Sequence, residues 1–363
     1  MLQRRRVLGD AREIDGGNVH LGQRNDRALV AGGAGFIGSN LVGSLLNKNR
    51  KVDCVDSLVT GHLSNLAEFH GNPDFRFIRG DIADSGIAAW LLRENYSEIY
   101  HLACPTGVPN IAVLGGEMLA ACSAGTLNLL NAAKKSRAKF LFASSAEVYG
   151  DPEVVPQCES YAGNVDPVGP RSPYEEGKRF GEALTVFHAR AWHLDARIVR
   201  IFNTYGTNMS TTDSRVIPQM LSNMIMGKQV VIYGDGSQTR AFLHVSDLID
   251  GFAQIMRRRC AGDVYNIGGE REISIRELFG LLGGIADYAQ PPVFEPHFIV
   301  DHKRRLPDTA KMRNLGWSPR ISLEAGLRRS FLENTSGSVG VTARKPARRE
   351  LKMKNPQPMP LSA

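Results

Sequence analysis

The chain has little of what staples small or exported domains together. Its five cysteines, at positions 54, 104, 122, 158 and 260, are odd in number and show no C-x-x-C spacing. That argues against a disulfide framework or a zinc site and fits a reducing, cytoplasmic setting. Asp301-His302-Lys303 has no second cluster at ligand spacing, so no metal is expected. No apolar core occurs in the first 26 residues, and hence no signal peptide is visible. Long uninterrupted apolar runs are also missing. The most apolar stretch, Ile111 to Ala133, contains Glu117, Asn128 and many small residues, which predicts a buried helix rather than a membrane span.

A basic surface for nucleic acid is absent as well, despite a formal charge of +7. Residues 1–27 hold 6 arginines against 4 acids, and residues 335–363 hold 6 lysines and arginines against 1 acid. The body between them carries 32 basic and 32 acidic residues, so the positive charge belongs to the ends. Both ends lack apolar periodicity and read as solvated tails.

What is present is a glycine turn between a strand and a helix. The short apolar segment Ala28-Leu29-Val30-Ala31 leads into Gly32-Gly33-Ala34-Gly35-Phe36-Ile37-Gly38, and a helix-period run follows. In that context Gly32 allows the tight turn, Gly35 lets a pyrophosphate approach the backbone, and Gly38 lets the helix pack on its strand. The phosphates then rest on the free N–H groups at the helix start, around Phe36 and Ile37. Asp56 ends a second strand 18 residues beyond Gly38, placed to accept hydrogen bonds from an adenosine ribose. A carboxylate there repels a 2′-phosphate, so NAD is the expected cofactor. Asp81 and Ile82 follow a third strand and reach the adenine side, while Leu102 and Ala103 end a fourth strand facing the same crevice.

Strand and helix signals alternate from residue 28 to about 202, the mark of a Rossmann-type, doubly wound parallel α/β sheet. The expected division gives the Rossmann domain residues 27–202 and 244–270. A smaller α/β substrate-binding lobe takes 203–243 and 271–333, flanked by tails at 1–26 and 334–363. A fifth strand ends in Ser144-Ser145, and Tyr174 and Lys178 lie four apart on a later helix. A tyrosine phenol, with pKa of about 10, is a weak base at neutral pH. A neighbouring ammonium and an oxidised nicotinamide favour the phenolate, so Tyr174 can take a hydroxyl proton while hydride leaves the same carbon.

Together these residues resemble the extended short-chain dehydrogenase/reductase superfamily of nucleotide-sugar enzymes. Within it, the match is to the UDP-glucuronate decarboxylases. The likeness runs through Tyr100 to Pro105, Glu147 to Glu153, Tyr174 to Arg179, Arg200 to Gly206, Gly236 to Phe242 and Leu315-Gly316-Trp317. It implies oxidation at C4 of the sugar, loss of CO₂ from the β-keto acid, and re-reduction to UDP-xylose. Tyr174 is then the base, Lys178 its partner, Ser145 a donor to the C4 oxygen, and Glu147 the group acting near C5. Arg240 and Arg305 are placed like the family's diphosphate-binding arginines, with Asn203, Arg215, Tyr233 and Gln238 as further substrate contacts. The resemblance also implies a homodimer paired through Ile111–Ala133 and Tyr174–Ala191.

Three positions depart from the family pattern: Ala146 where Ser or Asp is expected, Ile111 in place of an aromatic, and Cys122 in place of an Asn. A 4-epimerase needs no group at C5 and so does not account for Glu147, while a 4,6-dehydratase fits poorly with Ala146. A non-catalytic NAD-binding regulator does not account for Tyr174, Lys178 and Ser145 together.

Overall fold

In a computed structural model, which describes residues 26–210, 213–296 and 304–336, seven parallel strands form one sheet. The first six are β1 (Arg27–Ala31), β2 (Lys51–Asp56), β3 (Phe75–Arg79), β4 (Glu98–His101), β5 (Lys139–Ser145) and β6 (Ala196–Ile201). The seventh, Ala261–Ile267, sits beyond β6, and the order across the sheet is seventh, β6, β5, β4, β1, β2, β3. The order reverses between β1 and β4, which is where an open α/β sheet opens a crevice for ligands. Both faces of the sheet are covered, so the strands are near-continuous apolar runs rather than alternating ones. All four of Ala28, Leu29, Val30 and Ala31 are fully buried.

Helix α1 (Phe36–Leu46) follows β1 directly. Helices α2 (Ser85–Leu91), α3 (Val108–Ala120), α4 (Thr126–Ser136) and α5 (Ser172–Trp192) follow in turn. The expected single helix from 111 to 133 is broken. Leu114 leaves helical geometry at φ −122°, and a π-helical turn, Ala121–Gly125, separates α3 from α4. By length and composition the span Val108–Ser136 could cross a membrane, and its most apolar window is 39% buried. The expectation of a buried helix is therefore corrected: Val113, Leu119 and Leu127 point outward.

A second core joins Tyr205, Ile217, Met220, Leu221, Ile232, Leu278 and Leu327 in the smaller lobe. Its helices are Val216–Ile225, Ile275–Ala286 and Leu323–Ser336. Ser274 and Glu277 form a capping box at the start of the second of these. Met312 and Trp317, expected in this lobe, pack instead with the Rossmann core, where Trp317 Nε1 donates to Asp247 O at 3.0 Å. Of the expected tails, residues 1–25 and 337–363 lie outside the described residues, as does the 301–303 cluster, while 334–336 complete the last helix rather than begin a tail.

Candidate active site

Sheet register sets the level of the site. Ala31 pairs with His101, and His101 with Phe142, so β1, β4 and β5 release their carboxyl ends at one edge. The glycine turn at that edge leaves no room for side chains. Gly32 has φ +83°, and a Cβ there would lie 2.6 Å from the Ala103 backbone nitrogen. On Gly38 a Cβ would meet Gly32 O at 2.1 Å. Asp56 closes the turn from below, accepting the Ala34 N–H at 2.9 Å and the Leu58 N–H at 2.8 Å. Burial nonetheless pushes its pKa up.

Leu102 continues the ladder by donating to Ala31 O at 2.8 Å. Asp81 accepts the Ala83 N–H at 2.9 Å, and Ile82 is buried with its carbonyl held by Asn128. A glycine cradle at a helix start with a carboxylate at the next strand end suits the pyrophosphate and ribose of a dinucleotide.

Helix α5 begins with Pro173 in its first turn, which places Tyr174 and Lys178 one turn apart over β5. Lys178 is buried and donates to Ala143 O at 2.8 Å, its Nζ 5.8 Å from the Tyr174 ring centre. Burial works against the ammonium, but Cys104, Cys122 and Tyr174 outweigh it and hold Lys178 above the usual lysine range. Tyr174 hydrogen-bonds Ser145. Its pKa was expected to fall, and the free protein gives the reverse. Burial pushes it up to about 12, against the downward pull of Lys178. The phenol is therefore protonated at neutral pH until further positive charge is brought beside it.

Glu147 sits two residues past Ser145, whose Oγ accepts the Glu147 N–H at 3.2 Å. Arg171 and Arg305 both pair with the Glu147 carboxylate. Arg171 also reaches Glu175 at 2.8 Å. Arg305, expected on a diphosphate, thus has its guanidinium on Glu147. Beside it in the three-stranded sheet, Arg240 donates to Thr239 O at 2.7 Å. Arg215 is chelated by Asp213 and lies 5.5 Å from the Phe36 ring centre, next to the glycine turn. Gln238 donates to Tyr233 O at 2.8 Å, and Asn203 O accepts from Leu243. The altered positions Ile111, Cys122 and Ala146 are all buried.

Two features escaped the sequence. Arg171 immediately precedes the helix but faces an acid 24 residues away. The Cys104 and Cys122 sulfurs are 3.8 Å apart beside Lys178.

Residues 28–268 match the model of the NAD dependent epimerase/dehydratase family. The chain belongs to that family. Its members are NAD-dependent enzymes, and NAD is the cofactor that the glycine cradle and Asp56 accommodate. Among relatives, UDP-glucuronic acid decarboxylase 1 of Arabidopsis thaliana is 39% identical over 312 residues, covering 86% of this chain and 70% of the relative. The Danio rerio protein of the same name is 38% identical over 306 residues, covering 84% and 72%. Solved structures of epimerases and dehydratases superpose over most of the chain. A UDP-glucose 4-epimerase from Thermotoga maritima, solved with UDP-glucose, gives a TM-score of 0.79 at 29% identity, covering 85% of this chain and 99% of that one. A dTDP-glucose 4,6-dehydratase from Streptomyces venezuelae, solved with NAD, gives 0.78 at 31% identity, covering 86% and 98%.

Proposed function

We propose that the protein is a UDP-glucuronate decarboxylase that forms UDP-xylose and leaves its cofactor unchanged overall. The observation that carries this reading beyond the family is Glu147, held by Arg171 and Arg305 near Ser145 and Tyr174. A simple 4-epimerization uses no charged group at the neighbouring carbon. A uronic acid brings a carboxylate there, and the N–H donors of Arg171 and Arg305, held on Glu147 and Glu175 in the free protein, are the groups that turn to it. When bound, NAD supplies a reversible hydride acceptor at C4 of the sugar.

The residues act around that centre. Tyr174 takes the C4 hydroxyl proton and later returns it, with Ser145 hydrogen-bonded to its oxygen. Lys178, fixed on Ala143 O, supplies the positive charge that steadies the phenolate. Loss of CO₂ leaves electrons that the C4 ketone oxygen accepts, and the Ser145 hydroxyl is placed to hydrogen-bond that oxygen. Glu147 then serves the proton at C5. Incubation with UDP-glucuronate and catalytic NAD, followed by mass spectrometry, is expected to give CO₂ and a UDP-pentose. An unchanged uronate alongside conversion of a neutral UDP-hexose would overturn the substrate assignment.

The same reading includes a cytoplasmic homodimer. Val113 and Leu119 on α3, Leu127 on α4, and Phe180 and Phe187 on α5 are exposed apolar side chains on helices packed against one another. Pairing with a second copy covers such a surface. Light scattering is expected to return the mass of two chains, and Phe187→Glu to shift it towards one.

A further inference from the structure

Cys104 and Cys122 come from different elements and meet inside the catalytic crevice. Cys104 lies in the irregular segment after β4, and Cys122 in the π-helical turn between α3 and α4. Their sulfurs are 3.8 Å apart, and the bonded distance is about 2.05 Å. Cys104 lies outside any strand or helix and is half-buried rather than sealed in, so it is the residue free to move towards the helical turn that holds Cys122. Cys122 covers Gly177, the residue just before Lys178: a Cβ built there would lie 3.5 Å from Cys122 Cβ. The other three thiols have no such neighbour. Cys54 is buried beneath the glycine turn, Cys158 lies 3.2 Å from Ser160 Oγ, and Cys260 lies 3.6 Å from the Tyr265 hydroxyl.

We propose that Cys104 and Cys122 form a reversible disulfide in response to hydroperoxides, and that this bond switches the NAD site to a weaker-binding, inactive state. The Cys122 thiolate attacks a peroxide oxygen, and the O–O bond breaks. The alkoxide or hydroxide leaves with the proton that Cys122 gave up, as alcohol or water, making Cys122 a sulfenic acid. The Cys104 sulfur then attacks Cys122, the S–O bond breaks, and the departing hydroxide takes the Cys104 thiol proton as water. Two thiols and one hydroperoxide thus become a disulfide, water and the reduced oxidant. Hydrogen bonding from Cys104 holds Cys122 below the usual thiol range, with Lys178 adding positive charge, while the same contact and burial hold Cys104 above it, so Cys122 is the sulfur available as thiolate.

Two consequences follow from what the cysteines touch. Lys178 loses the thiol partners that help hold its charge over Tyr174. Drawing Cys104 towards Cys122 also pulls on Ala103, whose backbone packs directly against Gly32 in the NAD cradle. The disulfide therefore reaches both the proton-transfer pair and the cofactor turn.

The test is oxidation of the full-length protein with hydrogen peroxide, followed by alkylation and peptide mapping. A peptide pair joined through Cys104 and Cys122 is expected, with the other three cysteines alkylated. NAD affinity is expected to fall at least three-fold and to recover with dithiothreitol. Cys158→Ser should leave both effects intact, and Cys122→Ser or Cys104→Ser should make NAD affinity indifferent to peroxide. A map with all five thiols alkylated, a different pairing, or a 104–122 bond without change in NAD affinity would overturn the proposal. The proposal rests on the NAD site alone. Failure of the protein to act on UDP-glucuronate would overturn the substrate assignment and leave this result standing.

Discussion

The cofactor side of the crevice is built from backbone, and the sugar side from charged side chains gathered across the chain. Gly32, Gly38, Ala34 and Ala103 meet within 72 residues of sequence, and their contacts are distances that a single methyl group would violate. Glu147, Arg171 and Arg305 come from a turn, a helix start and a short strand, with Arg305 158 residues beyond Glu147. A backbone cradle tolerates almost no change and so keeps one cofactor. A cluster of long side chains can be rearranged residue by residue, which is how one fold serves different sugars.

If the halves are separable, substitutions should strike one and spare the other. The largest effect is expected where they touch. Tyr174→Phe should lower kcat by about 10²–10⁴-fold, the usual worth of a placed acid–base group, with NAD affinity little changed. Stopped-flow or endpoint product assays decide it. Gly38→Val, on the cofactor side, sets a side chain against Gly32 O and should weaken NAD binding by more than about tenfold, a cost above roughly 1.4 kcal/mol. Isothermal titration with NAD reads that directly.

On the sugar side, Arg305→Met removes charged hydrogen bonds of about 1.5–3 kcal/mol. Turnover of the sugar should fall roughly ten- to a hundred-fold at unchanged NAD affinity. An equal loss of NAD affinity would merge the two halves and break the comparison.

Further down the scale lies His101, which belongs to the scaffold beneath both sides. It is buried, bonds Ala121 O and Thr126, and is held down to about 3 by burial, with Lys178 adding to the effect. The unfolded chain takes up a proton near pH 6.5 while the folded chain does not, so stability present above that pH is lost as pH falls towards 3. At pH 5 the loss is about 2 kcal/mol, at 1.36 kcal/mol per pH unit. Thermal melts from pH 7 to 5 should show it, and His101→Gln should flatten that limb. Smallest of all, Arg304→Ala breaks an exposed pair with Glu272 and should cost under about 1 kcal/mol.

Legibility in the sequence follows the same division. The glycine turn, Asp56, the six strands from 28 to 201 and the Tyr174/Lys178 spacing are local patterns, each forced by what its own few residues can do. Arg171 and the grip of Arg305 on Glu147 depend on segments 24 and 158 residues away, and no periodicity encodes that meeting. Burial is equally invisible from spacing. Proximity to Lys178 suggested a lowered tyrosine pKa, and desolvation reversed the sign in the free protein. The π-helical turn at Ala121–Gly125 interrupts an apolar run that reads as one helix, because the extra residue in a turn leaves the apolar composition unchanged.

The most direct test of a transient oxidation followed by decarboxylation uses UDP-glucuronate carrying deuterium at C4, with NAD present in catalytic amount. The account predicts a UDP-pentose that retains the deuterium at C4, with no NADH accumulating. A pentose in which the label has exchanged with solvent, or a uronate recovered intact with NAD bound, would contradict it.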